Sequence, residues 1–201
     1  YYNLDVLDDP GTRVYGTAGT LVGANFTVAF DTATDFSTFS NVSAASVTHT
    51  PTPGITNPCA VVGVCWAKAG VSTPTATYNG VSMTACGSIS NGDAIPSKSA
   101  LFYLTGIDVT AGHLVTVDWG GVAGNFGNAG GMGYSGGSQT SAVGVSVTDF
   151  QPVAAGTTNS TVTLNIVSGN GGVAALAVGT GATTFIGNRS VRFNGTGTGY
   201  E

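Results

Sequence analysis

Apolar and polar residues alternate at period two along most of this chain, the repeat of a half-buried β-strand. Phe26, Val28 and Phe30 alternate with Thr27 and Ala29. Thr75–Tyr78 and Val81–Cys86 alternate on either side of Asn79-Gly80. Asn-Gly between two such runs predicts a hairpin, because both central residues of a type I′ turn need positive φ. In His113–Trp119, Val115, Val117 and Trp119 share one face, while Leu114, Thr116 and Asp118 share the other. Ser99–Leu104, Ala142–Phe150, Ser160–Val167 and Val173–Val178 read the same way. Val47–Thr50 is a short strand ended by Pro51 and Pro53. Ala60–Lys68 is apolar at successive positions, so it is expected at the centre of a sheet, covered on both faces.

Between these runs lie expected turns and loops. Asp31–Ser46, rich in Ser and Thr, reads as a long turn with Phe36 and Phe39 tucked inward. Ser88–Ser97 and Asp108–Gly112 are further connections. Gly120–Gly137 is half glycine and reads as a loop. No amphipathic helical segment appears. Nine to eleven short strands at regular spacing predict an all-β fold, an antiparallel two-sheet β-sandwich of jelly-roll type. Residues 1–25 differ from the rest and are expected to form an N-terminal arm or connector. Residues 26–201 form the expected sandwich domain.

Composition narrows the function. Only 7% of the 201 residues are charged and the net charge is −5. Nucleic acid needs basic clusters that neutralise phosphates, and an anionic membrane surface needs them too. Neither partner is expected, and no apolar run is long enough for membrane insertion as a helix. The 32 glycines and the abundance of Thr, Ser and Val suit strands and turns.

Candidate chemistry is sparse. His49 and His113 have no acidic or histidine partner at metal-ligand spacing, and no Cys-x-x-Cys occurs. Gly133-Tyr134-Ser135-Gly136-Gly137 matches the pattern of a nucleophile elbow, but no helical segment and no histidine follow Ser135. No catalytic residue, no cofactor and no enzyme activity are expected. Asp5, Asp8 and Asp9 are the only acidic cluster and are weak calcium candidates. Cys59, Cys65 and Cys86 read as buried free thiols, with Cys65 and Cys86 on separate strands that could also meet. Trp66, Trp119, Tyr78, Tyr103 and Tyr134 are either core or a sugar-stacking platform. Tyr134 in the glycine loop is the expected exposed member. Phe126, Met132 and Tyr134, with Tyr1 and Tyr2 of the arm, are the ligand or interface candidates, because apolar side chains among glycines favour packing against another molecule. Five Asn-x-Ser/Thr sequons start at Asn25, Asn41, Asn159, Asn188 and Asn194 and matter only on a glycosylating route.

The order of these segments adds a family likeness. Thr75–Ser88, Ala100-Leu101-Phe102-Tyr103-Leu104, Thr110–Val117, Tyr134-Ser135-Gly136-Gly137-Ser138-Gln139-Thr140 and Ser160–Leu164 follow one another. The succession resembles a Gly/Ser/Thr-rich β-sandwich family, lectin-like or jelly-roll in topology, of bacteriophage minor tail and other virion proteins and of secreted bacterial surface proteins. The resemblance covers about Phe26–Val178 and implies a final apolar strand, not clearly seen before Glu201, that a continuation of the chain or a neighbouring subunit would supply. It implies a non-enzymatic structural component of a virion surface: a minor tail, fibre or capsid-decoration protein. Its partners would be further copies of itself and other virion proteins, with a host-surface glycan as a further ligand. The alternative it implies is a carbohydrate-binding or adhesive domain of a secreted, extracellular surface protein.

Overall fold

The computed structural model describes residues 2–7, 14–21, 28–67, 73–90, 97–122, 125–140, 143–151, 159–164, 171–178 and 184–186. Among them are fifteen strands and no helix. In chain order these are β1 (Tyr2–Leu7), β2 (Val14–Leu21), β3 (Ala29–Val42), β4 (Ala44–His49) and β5 (Cys59–Ala67). Next come β6 (Thr75–Tyr78), β7 (Val81–Ser82), β8 (Thr84–Ser90), β9 (Ser97–Thr105) and β10 (His113–Asp118). The last five are β11 (Asn125–Ser135), β12 (Val143–Gln151), β13 (Asn159–Leu164), β14 (Gly171–Val178) and β15 (Thr184–Ile186).

The architecture is an all-β antiparallel sandwich. A four-stranded sheet in the order β4-β10-β6-β7 faces a five-stranded sheet in the order β3-β11-β5-β9-β8. Strand β5 carries the centre, as its uninterrupted apolar run predicts. Its even positions, Ala60, Val62, Val64 and Trp66, enter the core between the two sheets, where they meet Ala76, Tyr78, Val115 and Val117. Its odd positions, Cys59 and Val61, enter a second cluster with Leu101, Met132 and Tyr134 on the other face. Each fully buried Val or Leu contributes about 1.5–3 kcal/mol relative to exposure, so the double-faced strand is where stability concentrates. On β10 the expected alternation holds: Val115, Val117 and the following Trp119 are buried, while Leu114 and Asp118 face solvent.

The segment expected as an N-terminal arm contributes two strands. β1 pairs with β13 and β15, and β2 pairs with β12 and β14, in two three-stranded sheets. Strands β2 and β14 run beside β9, and β12 beside β8.

Three expectations about connections need correction. The first is Asp31–Ser46, read as a turn, which is β3 and the start of β4. Thr is a good strand residue, and the segment's simple alternation is hidden by irregular register. Between the pairs Asp35↔Gly130 and Thr38↔Asn128, β3 holds one residue more than β11. A bulge of this kind resets which face each residue meets. Phe36 and Phe39, three apart, therefore both reach the inter-sheet core.

The second correction is Gly120–Gly137. Most of it is β11, between β3 and β5 in the five-stranded sheet. Its glycines serve close approach rather than looseness. A Cβ on Gly127 would meet the Cys65 carbonyl oxygen, and one on Gly133 would sit 3.1 Å from both His49 Nε2 and Asp31 Oδ2.

The third concerns the hairpin. Asn79 (φ 49°) and Gly80 (φ 76°) both take positive φ, and Tyr78 pairs with Val81. The strand expected at Val81–Cys86, however, divides. β7 stays in the four-stranded sheet, the chain crosses at buried Met83, and β8 joins the five-stranded sheet. The Met83 N–H donates to the Ala76 carbonyl at 2.9 Å, which fixes the crossing. A Cβ on Gly80 would meet nothing within 4 Å, so only its backbone would be strained. Gly80→Ala is accordingly expected to cost about 1–2 kcal/mol in urea unfolding, the penalty of a left-handed non-glycine residue.

Candidate functional site

The richest cluster of polar chemistry among the described residues lies at the end of the sandwich where β3 begins and β4 ends. Its centre is His49, the last residue of β4, only 1% exposed. β4 alternates outward and inward, which points Ala45, Val47 and His49 toward the other sheet. Strand β3 supplies Thr34, whose Oγ1 lies 2.9 Å from His49 Nδ1, and Thr32, whose Oγ1 lies 3.4 Å from Nε2. Strand β11 supplies room, because Gly131 and Gly133 face the imidazole. The Asp31 carboxylate accepts the Thr52 N–H at 3.0 Å through Oδ2.

The second histidine stands beside the first. His113 opens β10 directly opposite His49 in the β4–β10 register. The Tyr78 ring lies near both, 6.3 Å from His49 edge-on and 5.6 Å from His113. The Tyr78 hydroxyl donates to the Asp108 carbonyl at 3.2 Å. Asp108 Oδ1 accepts the Thr110 N–H at 2.8 Å and the Thr110 hydroxyl at 2.7 Å, and its Oδ2 lies 3.2 Å from His113 Nε2. That last contact is close but lacks hydrogen-bond alignment, and the enclosed Nε2 makes no aligned bond.

These surroundings shift the titrating groups. Burial lowers the His49 pKa below its ordinary 6.5, and the Asp31 charge opposes this without overcoming it. The Thr110 hydroxyl and N–H hold Asp108 below the usual carboxylate range, with His113 adding to the effect. Burial, then the Asp108 charge, pushes the Tyr78 phenol up to about 12. The enclosed His49 imidazole is therefore held in its neutral form more firmly than in water.

The residues singled out from sequence are dispersed. Met132 and Tyr134 lie on β11 and are buried in the second core cluster, with Tyr134 edge-on to Phe30 at 6.0 Å and its hydroxyl 3.6 Å from Met132 Sδ. Tyr134 is thus not the exposed aromatic expected, because the glycine-rich stretch is an internal strand with two packed faces. Trp66, Trp119 and Tyr78 are also core. Phe126 lies in β11 opposite Ser40 and Ala67. Tyr2 and Asp5 lie in β1, opposite Leu164 and Thr161. Tyr1, Asp8 and Asp9 lie outside the described residues. Ser135 ends β11 and its hydroxyl donates to the Ala29 carbonyl at 3.5 Å, whereas the hydroxyls at His49 belong to Thr32 and Thr34. None of the three cysteines is in a disulfide, and burial raises each thiol to about 12.

Asp31, Thr32 and Thr34 are the members that sequence reasoning missed. The signal was the alternation in Asp31-Thr32-Ala33-Thr34-Asp35, a period-two run placed within a presumed turn. No protein-family model, curated protein or solved structure matches the chain.

Proposed function

We propose that the chain is a non-enzymatic structural component of a bacteriophage virion surface, a minor tail, fibre or capsid-decoration protein that works through protein–protein interfaces. The observation that carries the interface part is where the aromatics go. Trp66, Trp119, Tyr78 and Tyr134, the side chains a sugar platform would display, are buried in packing. What the four-stranded sheet turns outward is a hydroxyl-bearing face, on which exposed Leu114 and Asp118 of β10 flank the hydroxyls and Asp118 is the face's single carboxylate among the described residues. Ser46, Thr116, Thr77 and Ser82 lie in one row across all four strands, with the Ser46 and Thr116 hydroxyls 2.9 Å apart. Such a face suits close, salt-insensitive packing against another protein surface. The virion part rests on the resemblance of the ordered segments from Thr75 to Leu164.

The test is particle association. Antibody raised against the full chain should label purified phage particles in immunogold electron microscopy, and peptides of the chain should appear in their mass spectra at stoichiometric abundance. Recovery of the chain solely from the culture medium, apart from particles, would defeat the proposal. Glycan-array binding by that free form would then favour the secreted adhesive domain.

A further inference from the structure

We propose that the His49–Tyr78–His113 cluster is an acid-sensitive latch that fastens the start of β3 and the end of β4 at neutral pH and lets them loosen on acidification. The placement of the two strands is the first ground. β3 is the outermost strand of the five-stranded sheet and β4 the outermost of the four-stranded sheet. Only Ser43 separates them. One continuous stretch therefore forms the same side of both layers. At its open end, His49 ties that stretch to itself through Thr32 and Thr34 and to the interior through β11, Tyr78 and His113.

The second ground is hydrogen-bond arithmetic. A neutral imidazole offers one donor and one acceptor. The Thr32 hydroxyl is within reach of two acceptors, the Thr50 carbonyl at 3.3 Å and Asp31 Oδ2 at 3.4 Å. Giving its proton to either leaves Thr32 Oγ1 to accept from Nε2–H. Thr34 then donates to Nδ1. Protonation places a hydrogen on Nδ1, which the Thr34 oxygen accepts only once its own O–H has turned away from the ring, so the contact reverses and the Thr34 proton loses its acceptor. The charge formed is enclosed by the sandwich.

The facing groups do not rescue that charge. From β3, Asp31 is the one carboxylate near the ring, and its charge favours the imidazolium without outweighing burial; Asp35 lies on the exposed face. From β10 and the turn before it come His113 and Asp108, which face each other. From β6 comes the Tyr78 phenol, neutral throughout the physiological range. From β11 come Gly131 and Gly133, which carry no charge. Burial accordingly lowers the His49 pKa in the fold. The sign follows from linkage: below 6.5 the unfolded or opened state takes up the proton before the closed state does, so closure weakens as pH falls through that value and is complete above it.

Hydrogen exchange of the full chain, with rates corrected for the intrinsic pH dependence, tests this between about pH 7.5 and 5. Peptides covering residues 29–34 and 47–52 should lose protection tenfold or more on acidification, while β5 and β9 keep theirs. His49→Asn, which retains a partner for Thr34, should abolish the pH response. Equal protection at both pH values, or an undiminished response in His49→Asn, overturns the latch. If His49→Asn does not fold, the imidazole of the unaltered chain decides by nuclear magnetic resonance. A His49 midpoint below 6.5, with broadening of the Thr32 and Thr34 signals as it charges, supports the latch. A midpoint at or above that value overturns it.

Discussion

Replacing Gly127 by alanine should cost about 3 kcal/mol or more in urea unfolding, at the upper end of what overpacking a core exacts. A Cβ at that position would overlap the Cys65 carbonyl oxygen and approach Trp66 Cα to 2.9 Å. Both obstacles are main chain of β5, the neighbouring strand in the register Gly127↔Trp66. No rotamer change can relieve them. Relief requires β11 and β5 to separate, and β5 holds both core clusters together. Gly133→Ala is the informative comparison. Its Cβ would meet Asp31 Oδ2 and His49 Nε2 at 3.1 Å, both side-chain atoms that can yield. Gly133→Ala should therefore cost less than Gly127→Ala. It should also disturb the histidine cluster, which Gly127→Ala should leave intact in whatever fraction remains folded. Unfolding midpoints and slopes for both variants check this. A Gly127→Ala protein as stable as the unaltered chain would mean that β11 does not lie against β5 in this register.

The same strand shows what a sequence displays and what it conceals. Glycine marks either freedom or close approach, and a one-dimensional reading of Gly120–Gly137 has no means to choose. The choice depends on the neighbours, and these are 60 to 100 residues away in the chain: Cys65 on one side, Asp31 and His49 on the other. Strand β5 was legible because it needs no partner to be recognised; apolar residues at every position imply cover on both faces. The Asn79-Gly80 turn was legible because its constraint is local. β3 was not, because its bulges reverse the face of alternate residues, and period two fails at the positions where Phe36 and Phe39 enter the core. The histidine cluster was hidden for a related reason. Neither His49 nor His113 has a chemical partner nearby in sequence. Pairing of β4 with β10 sets them opposite each other, and pairing of β3 with β11 brings up the threonines. Sheet topology created the site, and topology was the least determined part of the reading.

Trp66→Ala is the other substitution expected to be severe, at about 3–5 kcal/mol, the usual loss for a buried tryptophan. Trp66 is 2% exposed on the inward face of β5. Its ring meets Trp119 edge-to-face at 6.4 Å, and Trp119 in turn lies 5.1 Å from Phe39 of β3. The three rings thus link the central strand, the end of β10 and the long edge strand, at the bulged part of β3. Truncation would leave a cavity that β-sheet backbone cannot collapse to fill, and would also remove an aromatic pair worth about 0.5–1.5 kcal/mol beyond its area. Trp66→Phe separates the ring from its polar atom. The indole N–H groups of Trp66 and Trp119 are buried without a protein partner. An enclosed, unmade donor costs about 1–3 kcal/mol. Removing it offsets much of the smaller ring's lost contact, so Trp66→Phe should fall within about 1 kcal/mol of the unaltered chain. Denaturant titrations followed by circular dichroism, which does not depend on the tryptophan being replaced, measure both. A Trp66→Phe loss approaching that of Trp66→Ala would show that the indole nitrogen holds the sandwich together through a bond. A small loss in both would remove the aromatic triad from the core. The expected wide separation between the two variants would mean that the sandwich is held here by ring volume and contact, the same apolar packing that lets a chain with so few charges keep a fixed fold.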